Sequence, residues 1–175
     1  NTTAQHGSTT VQKALADQEL AKKQLASRHF QNCLVVLDRV LEISPGAHRF
    51  SALKAQCYIG LDDLEQAAGL ITSILSAAAG HSDALYARGL LHCKQGKVET
   101  VGVAHFKQVL RGDPGHPESL ASLKAAKAIL KAKAAGNESF RDGKFDVAVE
   151  LYSTAVELDP VNHLGLTHIL LVNRA

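Results

Sequence analysis

The chain has 175 residues, 46% of them hydrophobic and 21% charged, with a formal net charge of +2; it can bury a sizeable core, and its balance demands no polyanionic partner. No run approaches the ~18 consecutive apolar residues of a membrane span, and the opening NTTAQHGSTT has neither the basic start nor the apolar centre of a signal peptide. With no Met and an Asn at its start, the chain is expected to be an excerpt of a longer polypeptide, any signal or catalytic domain lying outside it.

Residues 1–8 show no periodicity and predict a disordered lead-in. From Thr9 to Ser27 good helix formers predict one long helix, with Val11, Ala14, Leu15, Leu20 and Leu25 on its apolar positions. Its partner, FQNCLVVLDRVLEIS, closes at Pro45. A second pair, AHRFSALKAQCYIG and LDDLEQAAGLITSILSAA, is joined at Gly60, and a third, SDALYARGLLHCKQGKVETVGVAHFKQVLRGDP, turns at Gly96. The stretch beginning HPESLASLKAAKAI carries no break signal, so one helix is predicted from about His116 to Asp142. KFDVAVELYSTAVELDP follows as its partner, and VNHLGLTHILLVNRA reads as the first helix of one more pair whose second helix is absent.

These pairs share a register. With Pro160 at position 32 of a unit of about 34 residues, Gly136 falls at position 8, Ala148 at 20, Tyr152 at 24 and Ala155 at 27, the tetratricopeptide (TPR) pattern. Small residues at 8 and 20 let two helix backbones approach, while Tyr152, Phe145 and Leu151 are expected to fill the gaps. Counting from Pro45 places Cys33, Leu37 and Val40 at 20, 24 and 27, with Ala21 replacing glycine at 8; the second pair places Ala55, Tyr58, Ala67, Ile71 and Ile74 at 8, 11, 20, 24 and 27, with Ala79 replacing the proline. In the third pair Gly89 is the small residue of the first helix, and Gly102 reaches position 20 only if one residue is added in the turn. The fold expected is all-α, a right-handed superhelical TPR solenoid of antiparallel helix pairs. Its parts are the lead-in 1–8, a first TPR domain over 9–128 (three repeats and a capping helix), and the start of a second domain over 129–175 (one and a half repeats). Ile169, Leu170, Leu171 and Val172 would lack a covering helix, so this end should fray or self-associate.

Little in the chain suggests catalysis. Cys33, Cys57 and Cys93 are far apart, show no CxxC, and read as buried free thiols. His92, His105, His163 and His168 lack i,i+4 pairing with a second ligand, so no metal is expected. There is no Gly-x-Ser-x-Gly and no phosphate loop, and neither enzyme activity nor a cofactor is expected. The sequons at Asn1 and Asn137 would matter only in a secreted protein, and His116-Pro117-Glu118 matches the J-domain tripeptide His-Pro-Asp only in part. The lysine-rich helix from Ala121 to Lys144 is a solvated face rather than a nucleic-acid surface, because no aromatic residues interleave it.

The informative constellation is Lys133 and Asn137, four apart on one helix face, with Asn173 in the next first helix. An ammonium and carboxamides can hold a peptide by its carboxylates, and a basic helix would attract an acidic partner. KAAGN followed by NRA resembles the K-x3-G-N and N-R-[SAG] elements of carboxylate-clamp TPR domains. More broadly the chain from about residue 20 resembles co-chaperones that carry two TPR domains before a C-terminal J domain. The resemblance implies binding of the acidic C-terminal tails of Hsp90 and Hsp70, ending Glu-Glu-Val-Asp, through Lys133, Asn137 and Asn173. It also implies two further clamp residues beyond Ala175, so that the clamp here would be incomplete. Client polypeptides are a second class of partner, nucleic acid and membrane are not expected, and the location implied is the cytoplasm, with the nucleus as the alternative. Gln18 and Lys22 stand where a clamp would want Lys and Asn, and no tail site is expected there. The rival readings are a targeting arm of a TPR-bearing enzyme and an ER-lumenal client-binding TPR co-chaperone.

Overall fold

The protein is described by a computed structural model that covers residues 2–159 and 162–175, with side chains described from Lys13 onward, Ala14 excepted. Every regular element among the described residues is helical: α1 (Thr2–Ala26), α2 (Phe30–Ile43), α3 (His48–Gly60), α4 (Leu64–Ala77), α5 (Ser82–Lys94), a π-helical turn (Val98–Gly102), α6 (Val103–Gly112), α7 (Pro117–Arg141), α8 (Phe145–Glu157) and α9 (Thr167–Arg174). The lead-in expected to be disordered is helical from Thr2. No proline interrupts it, and one internal Gly7 costs only about 1 kcal/mol against alanine, so the helix propagates backward from its packed part.

The four turns within helix pairs are built alike. Arg28, Asp62, Gly96 and Gly143 have φ of 60°, 65°, 77° and 75°, and each lies seven residues after the small residue at position 8. At Gly143, for example, its N–H donates to the Phe140 carbonyl (3.1 Å) and the next N–H, of Lys144, to Ser139 (2.9 Å). The same two bonds close the helix at Arg28, Asp62 and Gly96. This is the Schellman closure, which satisfies the last carbonyls of one helix and reverses the chain into the next.

Because that turn is constant, the extra residue of the third repeat has to go elsewhere. Val98–Gly102 is a π-helical turn, with the Gly102 N–H reaching back five residues to Lys97 (2.9 Å) and that of Val103 to Val98. The insertion expected in the turn is thus taken up inside the second helix, as a π-bulge does. It brings Gly102 against Cys93, whose Sγ a Cβ there would strike.

Positions 8 and 24 vary together along the chain. Where position 24 is a ring, position 8 is glycine: a Cβ on Gly89 would stand 2.6 Å from the Phe106 ring and one on Gly136 2.6 Å from Tyr152. Where it is aliphatic, Leu37 or Ile71, alanine is accommodated at 21 and 55, and all four of these side chains are buried. The sum of volumes is what the helix pair conserves.

The chain divides into two compact units, Asn1–Ala87 and Arg88–Ala175. In the first, α1, α2 and α3 enclose Ala21, Cys33, Val36, Leu37, Leu53 and Cys57, with Leu25, Phe30, Leu34 and Phe50 packed on them. Ala52, Ile74 and Ala84 form a neighbouring cluster. In the second, Phe106, Val109, Ala126, Ile129, Ala148, Tyr152 and Ala155 are buried. This division is a different cut from the repeat-domain boundary expected at 128/129, which falls inside the unbroken α7. That helix runs as the sequence predicts, with His116 as its N-cap, where Nδ1 accepts from the Ser119 N–H (3.2 Å), and Asp142 as its C-cap.

Two expectations about the end of the chain change. Phe145 does not fill the gap beside Gly136: it is 58% exposed and meets Phe140 edge to face at 5.3 Å. The helix expected directly after Pro160, which itself lies outside the described residues, begins only at Thr167. A loop intervenes. The buried Asp159 carboxylate accepts from the N–H groups of His163 and Leu164, both at 2.7 Å, and Asn162 Oδ1 accepts from Thr167 (3.2 Å). Leu164 and Leu166 are buried, and Gly165, at φ 71°, lies so close to the Lys94 Cα and the Cys93 carbonyl that a Cβ would be 3.0 and 3.3 Å from them.

Candidate functional site

In the second unit α7 presents Lys133 and Asn137 one turn apart, both half-buried, as the sequence predicts for one face of one helix. Asn173, on α9, is half-buried as well and donates from Nδ2 to Asn137 Oδ1 at 3.3 Å. The structure therefore brings two of the three residues into contact and leaves Lys133 beside them on the shared face. A fourth residue was not foreseen: the Tyr152 hydroxyl donates to the same Asn137 Oδ1 at 2.7 Å. Its signal in the sequence was position 24, read there as packing alone.

This geometry fixes the chemistry of the Asn137 amide. Two donors occupy its oxygen, which settles which way the amide is turned, and its NH2 has no bond among the described residues. Lys133 makes no ion pair among the described residues. The face thus offers the ammonium and amide hydrogens, all donors, and donors without an anion suit a carboxylate. Further along α7, the Arg141 Nε–H donates back to the Asn137 carbonyl (3.3 Å), which orients the guanidinium without neutralising it, whereas Lys144 is paired with Asp142 at 3.1 Å.

Other reactive groups are held inert. The three cysteines are free and buried. The hydrogen bond with Cys33, then burial, pushes the Cys57 thiol far up, and burial, with the charge of Asp159, pushes Cys93 up to about 12, so neither of these two is a thiolate at neutral pH. The same hydrogen bond with Cys57 lowers the Cys33 pKa, but that thiol is enclosed in the core, where it donates to the Ala21 carbonyl at 3.3 Å. His92 and His105 stack at 5.3 Å, and burial, then His92 and Arg88, lowers the pKa of His105. Among the described residues no group of three or more His, Cys, Asp or Glu could hold a metal ion, and no helix is long and apolar enough to cross a membrane. Of the four apolar residues expected to be uncovered near the end, Leu171 and Val172 are exposed, whereas Leu170 is buried.

Helix pairs closed by one repeated turn, with position 8 matched to position 24, are the architecture of tetratricopeptide repeats, and the tetratricopeptide-repeat family profile matches residues 24–99. The fold is that of a TPR solenoid: the crystal structure of the P58(IPK) TPR domain superposes with a TM-score of 0.57 over 98% of this chain and 47% of that one, at 19% identity. In sequence the chain is similar to DnaJ homolog subfamily C member 7 of Homo sapiens, 33% identical over 162 residues. That match covers 93% of this chain and 33% of the relative. The homolog of the same protein in Dictyostelium discoideum is 30% identical over 79% of this chain and 25% of its own length. The chain spans about a third of the length of the human relative or less.

Proposed function

We propose that this chain is the interaction module of a cytoplasmic co-chaperone and holds the acidic C-terminal tail of a chaperone, Hsp90 or Hsp70, through Lys133, Asn137 and Asn173. The observation that carries the reading is the shared Asn137 oxygen. Tyr152 and Asn173 both donate to it, so the amide NH2 is presented with Lys133 as a set of donors to a terminal or side-chain carboxylate. Similarity to a DnaJ homolog along nearly the whole chain supports a role in protein folding.

Calorimetric titration of the chain with a peptide ending Glu-Glu-Val-Asp tests it. Charge-assisted hydrogen bonds contribute about 1.5–3 kcal/mol each, so Lys133→Ala and Asn137→Ala should each weaken binding by roughly tenfold or more. An affinity that Lys133→Ala leaves unchanged would remove the case.

A further inference from the structure

We propose that the first unit carries a second carboxylate site, built from Gln18, Lys22 and Arg49, that takes an acidic side chain or chain end of a peptide. Gln18 is 6% exposed, a polar side chain sunk in the inner face of α1. With its amide oxygen toward Arg49, the orientation that guanidinium donors demand, it accepts from Nη2 at 2.7 Å, Nε at 3.1 Å and Nη1 at 3.2 Å. A neutral amide orients the guanidinium without neutralising it. Arg49 is otherwise exposed and makes no ion pair among the described residues. Lys22, half-buried one turn beyond Gln18, makes none either.

By contrast Lys54, on the same helix as Arg49, is neutralised by Asp38 at 2.6 Å. Arg49 and Lys22 are thus two cations without such a partner, one of them held in place by a buried amide, and an anion would complete the cluster. The chemistry selects the anion. A guanidinium fork matches a carboxylate with two parallel bonds, and an adjacent ammonium adds charge with no acceptor to repel it. Gln18 and Lys22 also hold positions 5 and 9 of their repeat, the positions that Lys133 and Asn137 hold in the fourth. The first unit therefore carries polar residues at the same repeat positions, with different side chains.

The site does not depend on the reading of Lys133 and Asn137, and the test separates them. The Arg49 Nε–H and Gln18 side-chain amide signals would be followed by nitrogen-proton NMR in the whole chain during titration with a Glu-rich peptide, once with a free and once with an amidated C-terminus. Both signals should shift and saturate together. Shifts kept by the amidated peptide assign the ligand to an acidic side chain, and shifts lost with it assign the ligand to the chain end. Arg49→Lys, which keeps charge but loses the fork, should weaken this binding about tenfold, and Lys133→Ala should leave it unchanged. Absence of any Arg49 or Gln18 shift at millimolar peptide would overturn the proposal, as would an affinity, read at those signals or at Lys22, that neither Arg49→Lys nor Lys22→Ala alters.

Discussion

The matching of positions 8 and 24 makes a quantitative prediction at Gly136. A methyl group there would lie 2.6, 2.8 and 3.0 Å from Cε1, Cδ1 and Cζ of Tyr152, closer than carbon atoms can approach, and the ring is 3% exposed with nowhere to go. Overpacking of this kind costs about 1–3 kcal/mol, and alanine recovers about 1 kcal/mol of helix propensity, so Gly136→Ala should destabilise by ~0–2 kcal/mol. Tyr152→Leu alone should also destabilise, by leaving a gap above Gly136 and removing a donor from Asn137. Together they recreate the Ala21–Leu37 and Ala55–Ile71 combinations that the first two repeats already use. The double variant should therefore be more stable than the sum of the singles by about 1–2 kcal/mol, within the range of contacting pairs. Urea unfolding followed by far-UV circular dichroism gives all three values. Additivity to within about 0.5 kcal/mol would show that positions 8 and 24 are not coupled through volume, and the packing argument would fail.

Four further outcomes are expected. Deleting Thr100, which is exposed within the π-helical turn, should restore an ordinary helix and lower the melting temperature less than deleting Thr72, which would rotate the buried Ile74 off the core; equal losses would count against the bulge as the home of the extra residue. Asp159→Asn weakens two charge-assisted bonds of about 1.5–3 kcal/mol each and should loosen the loop over Cys93, so alkylation of that thiol, followed by mass spectrometry, should quicken. The same thiol gives a pH dependence. Its pKa is raised from the usual 9.0 to about 12, so its contribution to stability is complete below pH 9.0 and is lost as the pH rises toward 12, a loss that Cys93→Ala should remove. His116→Ala takes away an N-cap and should cost about 0.5–2 kcal/mol, with His116→Asp restoring most of it in the same urea assay.

The parts of the fold legible in the sequence are those set by short-range rules. Gly136 with Tyr152 announces a close helix pair, and the absence of a breaker between His116 and Arg141 announces one long helix. The phase of Pro114 against Gly89 reveals an extra residue. Where that residue goes was not legible, because the choice between a longer turn and a π-bulge depends on the Schellman turn being cheaper to keep than an α-helical first turn of the second helix. Phe145 was misplaced for a related reason. Position 17 is apolar in the first repeat too, where Phe30 lies over Gly60, but its burial depends on the next repeat, not on its own. For the site, the spacing of Lys133 and Asn137 needs only helix geometry, whereas the Tyr152 hydroxyl is a contact between helices that no spacing rule within one helix can supply.

The loop after α8 also bears on the site. In the first unit Gln18 meets Arg49, 31 residues later, the separation that regular stacking gives to facing positions of successive first helices. By that spacing Asn137 should face His168. It faces Asn173 instead, at a separation of 36 residues, and the five additional residues are held in the loop that Asp159 and Asn162 tie down. An imidazole in that place would present a ring nitrogen whose charge changes near neutral pH, whereas an amide gives the Asn137 oxygen a permanent donor. The loop is thus a register device. Its hydrogen bonds at Asp159 set which residue of α9 completes the polar face, and loosening them should disturb Asn173 although Asp159 lies outside that face.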